Sequence, residues 1–232
     1  MSASTSRIVI IGGHGRVALL AAPLLVAGGH EVTSIIRDPA QADDVAATGA
    51  SPLVLSVEAA STEELTRALD GADAVVWSAG AGGKGGPERT DAVDRAAAIR
   101  SMEAAAAAGA RRYIMVSFIT AYGEVPENHP LRAYAVAKIA ADRHLQSTDL
   151  DWTILGPGLL TEAEPTGAIT VGRPAAGDSS AGAPTSRGNV ARVIAAALAE
   201  PATIGRVIPF RDGETPIAQA VANVPQAYAD LS

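Results

Sequence analysis

A chain of 232 residues is of the size at which one α/β domain buries a full core, and 48% hydrophobic against 19% charged residues is globular, too apolar for a disordered chain. A formal net charge of -7, with no dense Lys/Arg run, lacks the basic footprint that a phosphate backbone requires, so nucleic acid is not an expected partner. With no cysteine, disulfides, thiolate nucleophiles and cysteine metal sites are excluded together, and redox chemistry has to come from a cofactor.

The first seven residues are small and polar, and glycines interrupt the apolar stretch behind them, which is not the pattern of a secretion signal. The apolar run 17–27 contains Pro23 and is shorter than the about 20 residues that a membrane-spanning helix needs. The expectation is a cytoplasmic chain folded as one domain, 1–232, with a small-molecule partner, no membrane contact, and a monomeric or homodimeric state.

Residues 8–11 form a continuous apolar, β-branched run closed by glycine, as in a strand buried on both faces. A helical pattern follows from Arg16 to about Gly28, where Pro23 predicts a kink or early fray, and 31–36 is again β-branched. Next come a short helix from Pro39, an apolar segment at 52–55, and a helix opening with Ser61 and Glu64 at capping-box spacing. A strand is predicted at 74–77, an alanine-rich helix at 90–108, a strand at 113–116, a helix at 131–147 and a strand at 152–155. This alternation predicts an α/β fold with a doubly wound, mostly parallel sheet, a Rossmann fold. Beyond it, a helix is predicted at 189–199 and a strand at 207–210, and residues 156–188 and 205–232 are expected to contribute a small C-terminal, substrate-side cap. Its Gly/Pro/Ser/Ala-rich part, 172–188, reads as a lid that orders over a ligand.

Gly12, Gly15 and Ala18 have G-x-x-G-x-x-A spacing directly after the first strand and at the opening of a helix. Small residues there let the backbone turn tightly beside a pyrophosphate, and the helix N-terminus offers free N–H groups, so the pattern points to dinucleotide binding. At the end of the second strand an NAD-preferring site offers an acid to the ribose 2'-hydroxyl, whereas this chain offers Arg37, a cation suited to a 2'-phosphate. NADP(H) is therefore the expected cofactor, with NAD(H) as the alternative; Asp38 either serves a ribose hydroxyl or pairs with the arginine. The small residues 78–83 follow the fourth strand, where open α/β sheets pass a nucleotide. Tyr134 and Lys138, four apart on a predicted helix, share one face, and an ammonium near a phenol brings its pKa toward working pH, as a general acid or base needs. The histidines show no metal spacing, and no metal site is expected.

The segments I-I-G-G-H-G-R-V-A, I-I-R-D-P, S-A-G-A-G, V-S-F-I-T-A-Y-G, Y-A-V-A-K, D-W-T-I-L-G-P-G and T-S-R-G-N-V-A together resemble an atypical short-chain dehydrogenase/reductase. The resemblance is to the NAD(P)H-binding subgroup of biliverdin-IX-beta reductase (flavin reductase)-like and NmrA-like proteins, and it runs from Arg7 to about Ala220. It implies an NADP(H) site with Gly12, His14, Gly15, Arg16 and Val17 along the pyrophosphate, Arg37 at the adenosine phosphate, and Ala79 and Gly80 beside the adenosine ribose. It further implies Ser117 and Lys138 at the nicotinamide ribose, Pro157 and Gly158 near the nicotinamide amide, and Ser117, Tyr134 and Lys138 as the catalytic set.

Three positions depart from the family pattern. Phe118 stands where a second serine is usual, Gly156 where an arginine precedes the proline, and Ser56 where an acid often follows the third strand. The expected activity is an NADP(H)-dependent oxidoreductase acting on a small carbonyl, quinone or flavin-like substrate. The alternatives are a non-catalytic NAD(P)H-sensing regulator, which Phe118 allows, and an NAD(P)-dependent epimerase/dehydratase.

Overall fold

The computed structural model describes residues 5–82, 85–118, 128–172 and 184–225. Its elements alternate as the sequence predicts: β1 (Arg7–Ile11), α1 (Arg16–Ala27), β2 (Glu31–Ile36), α2 (Ala42–Ala46), β3 (Ser51–Val54), α3 (Thr62–Ala68) and β4 (Ala74–Trp77). After α4 (Gly86–Thr90) come α5 (Ala98–Ala107), β5 (Arg112–Val116), α6 (Arg132–Gln146) and β6 (Asp151–Pro157). The last part holds β7 (Leu159–Thr161), β8 (Ala168–Val171), β9 (Pro184–Ser186), α7 (Arg187–Ala199), β10 (Arg206–Asp212), β11 (Thr215–Pro216) and α8 (Ile217–Ala222).

Among the described residues nine strands form one sheet in the order β3-β2-β1-β4-β5-β6-β10-β8-β11. Every pair from β3 to β10 is parallel, and β8 and β11 extend that edge antiparallel. The chain winds outward from β1 to β3, then crosses back over β1 to β4. The carboxyl ends of β1 and β4 therefore flank the point where strand order reverses, the place where such sheets open a crevice for ligands.

The unbroken apolar run of β1 serves two cores. Ile8 and Ile10 pack with Val17, Ala21, Val190 and Ile194 of α1 and α7, while Val9 and Ile11 join Leu65, Met102 and Leu145 of α3, α5 and α6. Fully burying side chains of this size contributes about 1.5–3 kcal/mol each, so both faces are pinned and the register of β1 cannot slip.

Local signals explain several boundaries. α3 opens on a complete capping box, with Ser61 Oγ accepting from the Glu64 N–H and Glu64 Oε2 accepting from the Ser61 N–H. α1 runs on through Pro23 to Ala27 instead of fraying at it. The proline lies on the exposed face, where water can satisfy the carbonyl that lost its donor.

The helix predicted at 90–108 begins earlier, at Gly86, and its middle, Asp91–Ala97, is π-helical. Segments of that kind concentrate at functional sites, and this one carries a buried acid, Asp94. The segments expected to form a separate cap divide. β8, β10 and β11 belong to the main sheet, because β10 finds a parallel partner in β6, and only β7 and β9 pair apart from it. Residues 173–183, the bulk of the expected lid, lie outside the described residues.

Candidate functional site

At the switch point the β1–α1 turn meets the β4 turn. Gly12 has φ +85°, and a Cβ on it would lie 2.6 Å from the Ala79 Cα, so only glycine seats one backbone against the other. The Gly12 and Gly13 N–H groups both donate to the Ile35 carbonyl, at 3.2 and 2.9 Å, and a Cβ on Gly13 would fall 2.4 Å from the Ser34 Cβ. The turn is thus anchored on β2 through groups that a ligand does not need. α1 starts at Arg16 with no side-chain cap and no acid in its first turn, which leaves its first N–H groups and positive dipole end to an anion.

A cavity of about 240 Å³ continues from this turn along the end of β2. Gly12, His14 and Gly15 of the first turn, Ala79 and Gly80 after β4, and Arg37 after β2 all line it. Arg37 is exposed and makes no hydrogen bond or ion pair with another described residue. Asp38 does not pair with it. Its carboxylate accepts from the Ala40 N–H at 2.9 Å and caps the turn at Pro39–Gln41. Of the two alternatives that the sequence left open, pairing with Arg37 is not made, and Asp38 serves as an N-cap. His14 Nε2 lies 2.8 Å from Asp44 Oδ2. After β3 the wall is made by Ser56, Val57 and Glu58, so an acid does stand there, two residues past Ser56, hydrogen-bonded to Arg89 at 3.3 Å.

A second cavity, of about 540 Å³, shares Gly15, Ser78, Ala79 and Gly80 with the first and runs toward β5 and α6. Arg16, Val17, Ser117, Tyr134 and Lys138 all line it. Lys138 is 1% exposed, and its Nζ donates to the Val116 carbonyl at 2.8 Å. Burial lowers its pKa, opposed by the carboxylates of Asp142 and Asp94. Burial likewise raises the Asp94 pKa, against the pull of Lys138 and the Ala81 N–H, which donates to Asp94 at 3.0 Å. Ser117 Oγ donates to Asp142 Oδ2 at 2.5 Å.

Tyr134 departs from the sequence expectation. Its pKa is raised, first by burial and then by the negative charges of Asp94 and Asp142, where the neighbouring lysine alone was expected to lower it. The main reason is burial, which disfavours the tyrosinate, and the charges of Asp94 and Asp142 add to it, while Lys138 turns its ammonium to the Val116 carbonyl of β5. Phe118 packs on Tyr134 with ring centroids 5.1 Å apart.

The two turns and α6 thus bring together eleven of the residues singled out in the sequence: Gly12, His14, Gly15, Arg16, Val17, Arg37, Ala79, Gly80, Ser117, Tyr134 and Lys138. Pro157 and Gly158 are not among the described lining residues. The Gly158 N–H is taken up by the Phe210 carbonyl and Thr185 Oγ1, at 2.9 and 3.0 Å, and Leu160 lines the cavity from that segment instead. Sequence reasoning missed Gly13, Asp94, Asp142, Arg89 and Arg187. Asp142 was within reach, since it repeats the spacing of four that joins Tyr134 to Lys138. Asp94 was not, because nothing in D-A-V-D announces a π-helical turn.

A parallel sheet with a glycine turn and a free helix N-terminus at its switch point defines a Rossmann-type nucleotide-binding protein. Residues 12–201 match the model of the NAD(P)H-binding family, and the chain belongs to that family. An uncharacterized sugar epimerase of Bacillus subtilis, YhfK, is 35% identical, with 93% of this chain and 98% of that protein covered. A putative NAD-dependent epimerase/dehydratase from Bacillus halodurans superposes with a TM-score of 0.86 at 33% identity, covering 94% of this chain and 100% of that one. The oxidoreductase ylbE from Lactococcus lactis gives 0.80 at 29% identity, with 93% and 94% covered.

Proposed function

We propose that the protein is an NADP(H)-dependent oxidoreductase that reduces a small carbonyl, quinone or flavin-like substrate. The observation that carries this reading is the shared wall of the two cavities. A dinucleotide crossing the Gly12–Ala79 contact with its adenosine toward Arg37 brings its other end to Ser117, Tyr134 and Lys138. The nicotinamide supplies the hydride when bound. Tyr134, whose surroundings hold its proton, donates it to the oxygen of the reduced carbonyl, and Lys138 with its two carboxylates fixes the charge beneath it. Arg37 holds the 2'-phosphate that separates NADP(H) from NAD(H).

The test is a binding titration with both cofactors, followed by loss of NADPH absorbance against a panel of quinones, flavins and small aldehydes. Tight NADPH binding with turnover of at least one class is expected. The names of the Bacillus relatives favour a second reading, an epimerase or dehydratase that oxidises and re-reduces one substrate with no net change in cofactor. Conversion of nucleotide sugars at constant NADP(H), with none of the panel reduced, would replace the first reading with the second. Tight binding without turnover in either assay would mark a cofactor sensor.

A further inference from the structure

The cavity beside Tyr134 has a polar corner that the proton-handling set does not use. Arg187, the first residue of α7, lines it, and its side chain is only 13% exposed. Its guanidinium Nη1 donates to Glu162 Oε1 at 2.8 Å, and the same oxygen accepts from Arg16 Nη1. One carboxylate is therefore held between two guanidiniums. Glu162 itself is 64% exposed, and so is free to swing into solvent when something else takes its place.

The fold explains why positive charge converges there. α1 leads from β1 into parallel β2 and α7 leads into parallel β10, so both helices start at the carboxyl edge of the sheet, and they pack side by side. Arg16 and Arg187 open the two helices, adding two full charges to two positive dipole ends in a chain whose net charge is -7. The same cavity also has Val116, Pro130, Leu131 and Leu160 in its wall. A guanidinium that is nearly out of water, lines a cavity and is matched among the described residues by one exposed carboxylate can exchange that partner for an anionic ligand.

We infer that Arg187 forms an anion receptor of the substrate pocket, that Glu162 occupies it in the absence of substrate, and that the substrate carries a carboxylate or phosphate on an apolar body. This deepens the oxidoreductase reading and rests on it for the word substrate. Glu162 is then a built-in competitor that keeps two guanidiniums from repelling each other until the acid arrives.

Calorimetric titration of the NADP+-saturated protein with benzoate, phenyl phosphate and the uncharged isostere benzamide tests the inference. At least one anion is expected to bind tenfold or more tightly than benzamide, and the better of the two identifies carboxylate or phosphate as the group recognised. Arg187→Gln should remove that preference. Glu162→Gln, on an exposed side chain with little bearing on folding, should tighten the preferred anion threefold or more, because it removes the competitor. Equal binding of anion and benzamide, no binding of either anion, or weaker anion binding in Glu162→Gln would overturn the inference. Titration of NADP+ itself is the separate arm. Failure there defeats the oxidoreductase reading, whereas normal NADP+ binding with no anion preference defeats only the receptor.

Discussion

The two ends of the cleft are built from different material. The end proposed for the adenosine is made of backbone and an exposed cation: a glycine turn tied to β2, a helix N-terminus without a side-chain cap, and Arg37 in solvent. The end proposed for the nicotinamide is made of buried titratable groups that shift one another, namely Asp94, Lys138, Asp142 and Tyr134. The first kind of site tolerates the loss of a side chain with little damage to the fold. The second does not, since each buried charge is tolerable only while its partners remain.

Replacement of Lys138 is the harshest way to break the comparison. Lys138→Met leaves Asp94 and Asp142 buried without their shared cation, a change that costs about 3–5 kcal/mol when a buried pair loses one partner. Urea unfolding should show a loss of that size. It should also depend on pH in a stated direction. Because the native Lys138 pKa lies below its ordinary 10.5, the unfolded chain binds more protons between the two values. Wild-type stability measured against Lys138→Met therefore rises as pH rises toward 10.5 and levels off above it. A flat or falling difference would mean that Lys138 is not penalised by its burial.

Tyr134→Phe separates chemistry from folding at the same end. Turnover should fall by about a hundredfold or more, the scale of a positioned acid, with NADPH affinity unchanged. The raised pKa sets the pH dependence of each direction as well. A phenol that keeps its proton is ready to donate, so reduction should be independent of pH across the neutral range. Oxidation of the corresponding alcohol needs the tyrosinate, and its rate should climb by about tenfold per pH unit. Equal pH profiles in both directions would remove Tyr134 as the proton donor.

The same contrast decides what could be read in the sequence. The first cavity follows strand–turn–helix grammar within about thirty residues, so that Gly12, Gly15 and Arg37 share its wall was legible from their places after β1 and β2. Local patterning also located β4, the capped α3 and the alternating sheet. The nicotinamide end depends on meetings between distant segments. Ser117 reaches Asp142, and Asp94 faces Lys138 from a π-helical turn, at sequence separations where spacing carries no signal. The direction of the Tyr134 shift went wrong for that reason: the lysine was visible four residues away, whereas the burial of the phenol and the approach of Asp94 were not. The parallel pairing of β10 with β6, which brings 206–210 into the main sheet, is another meeting of that kind.

The mildest substitution falls at the exposed end and asks whether the side chain there does what the spacing implied. NADP+ carries a 2'-phosphate with close to two negative charges, and a guanidinium can hold it by paired hydrogen bonds that a ribose hydroxyl cannot reproduce. With Asp38 committed to capping the next turn, Arg37 is left to face this phosphate without an acid beside it. A charge-assisted contact at a partly exposed site is worth about 1.5–3 kcal/mol, so Arg37→Ala should weaken NADP(H) by roughly tenfold to a hundredfold. NAD(H) affinity and unfolding stability should barely move, in contrast to Lys138→Met. Salt sharpens the test, because an exposed ion pair is screened over about 10 Å at 0.1 M ionic strength: the wild-type preference for NADP(H) should shrink as salt rises, and that of Arg37→Ala should not. If the substitution weakens both cofactors equally, or the wild type prefers NAD(H), the cation at the end of β2 does not read the ribose, and cofactor choice must be sought in Arg89 and Glu58 across the cavity.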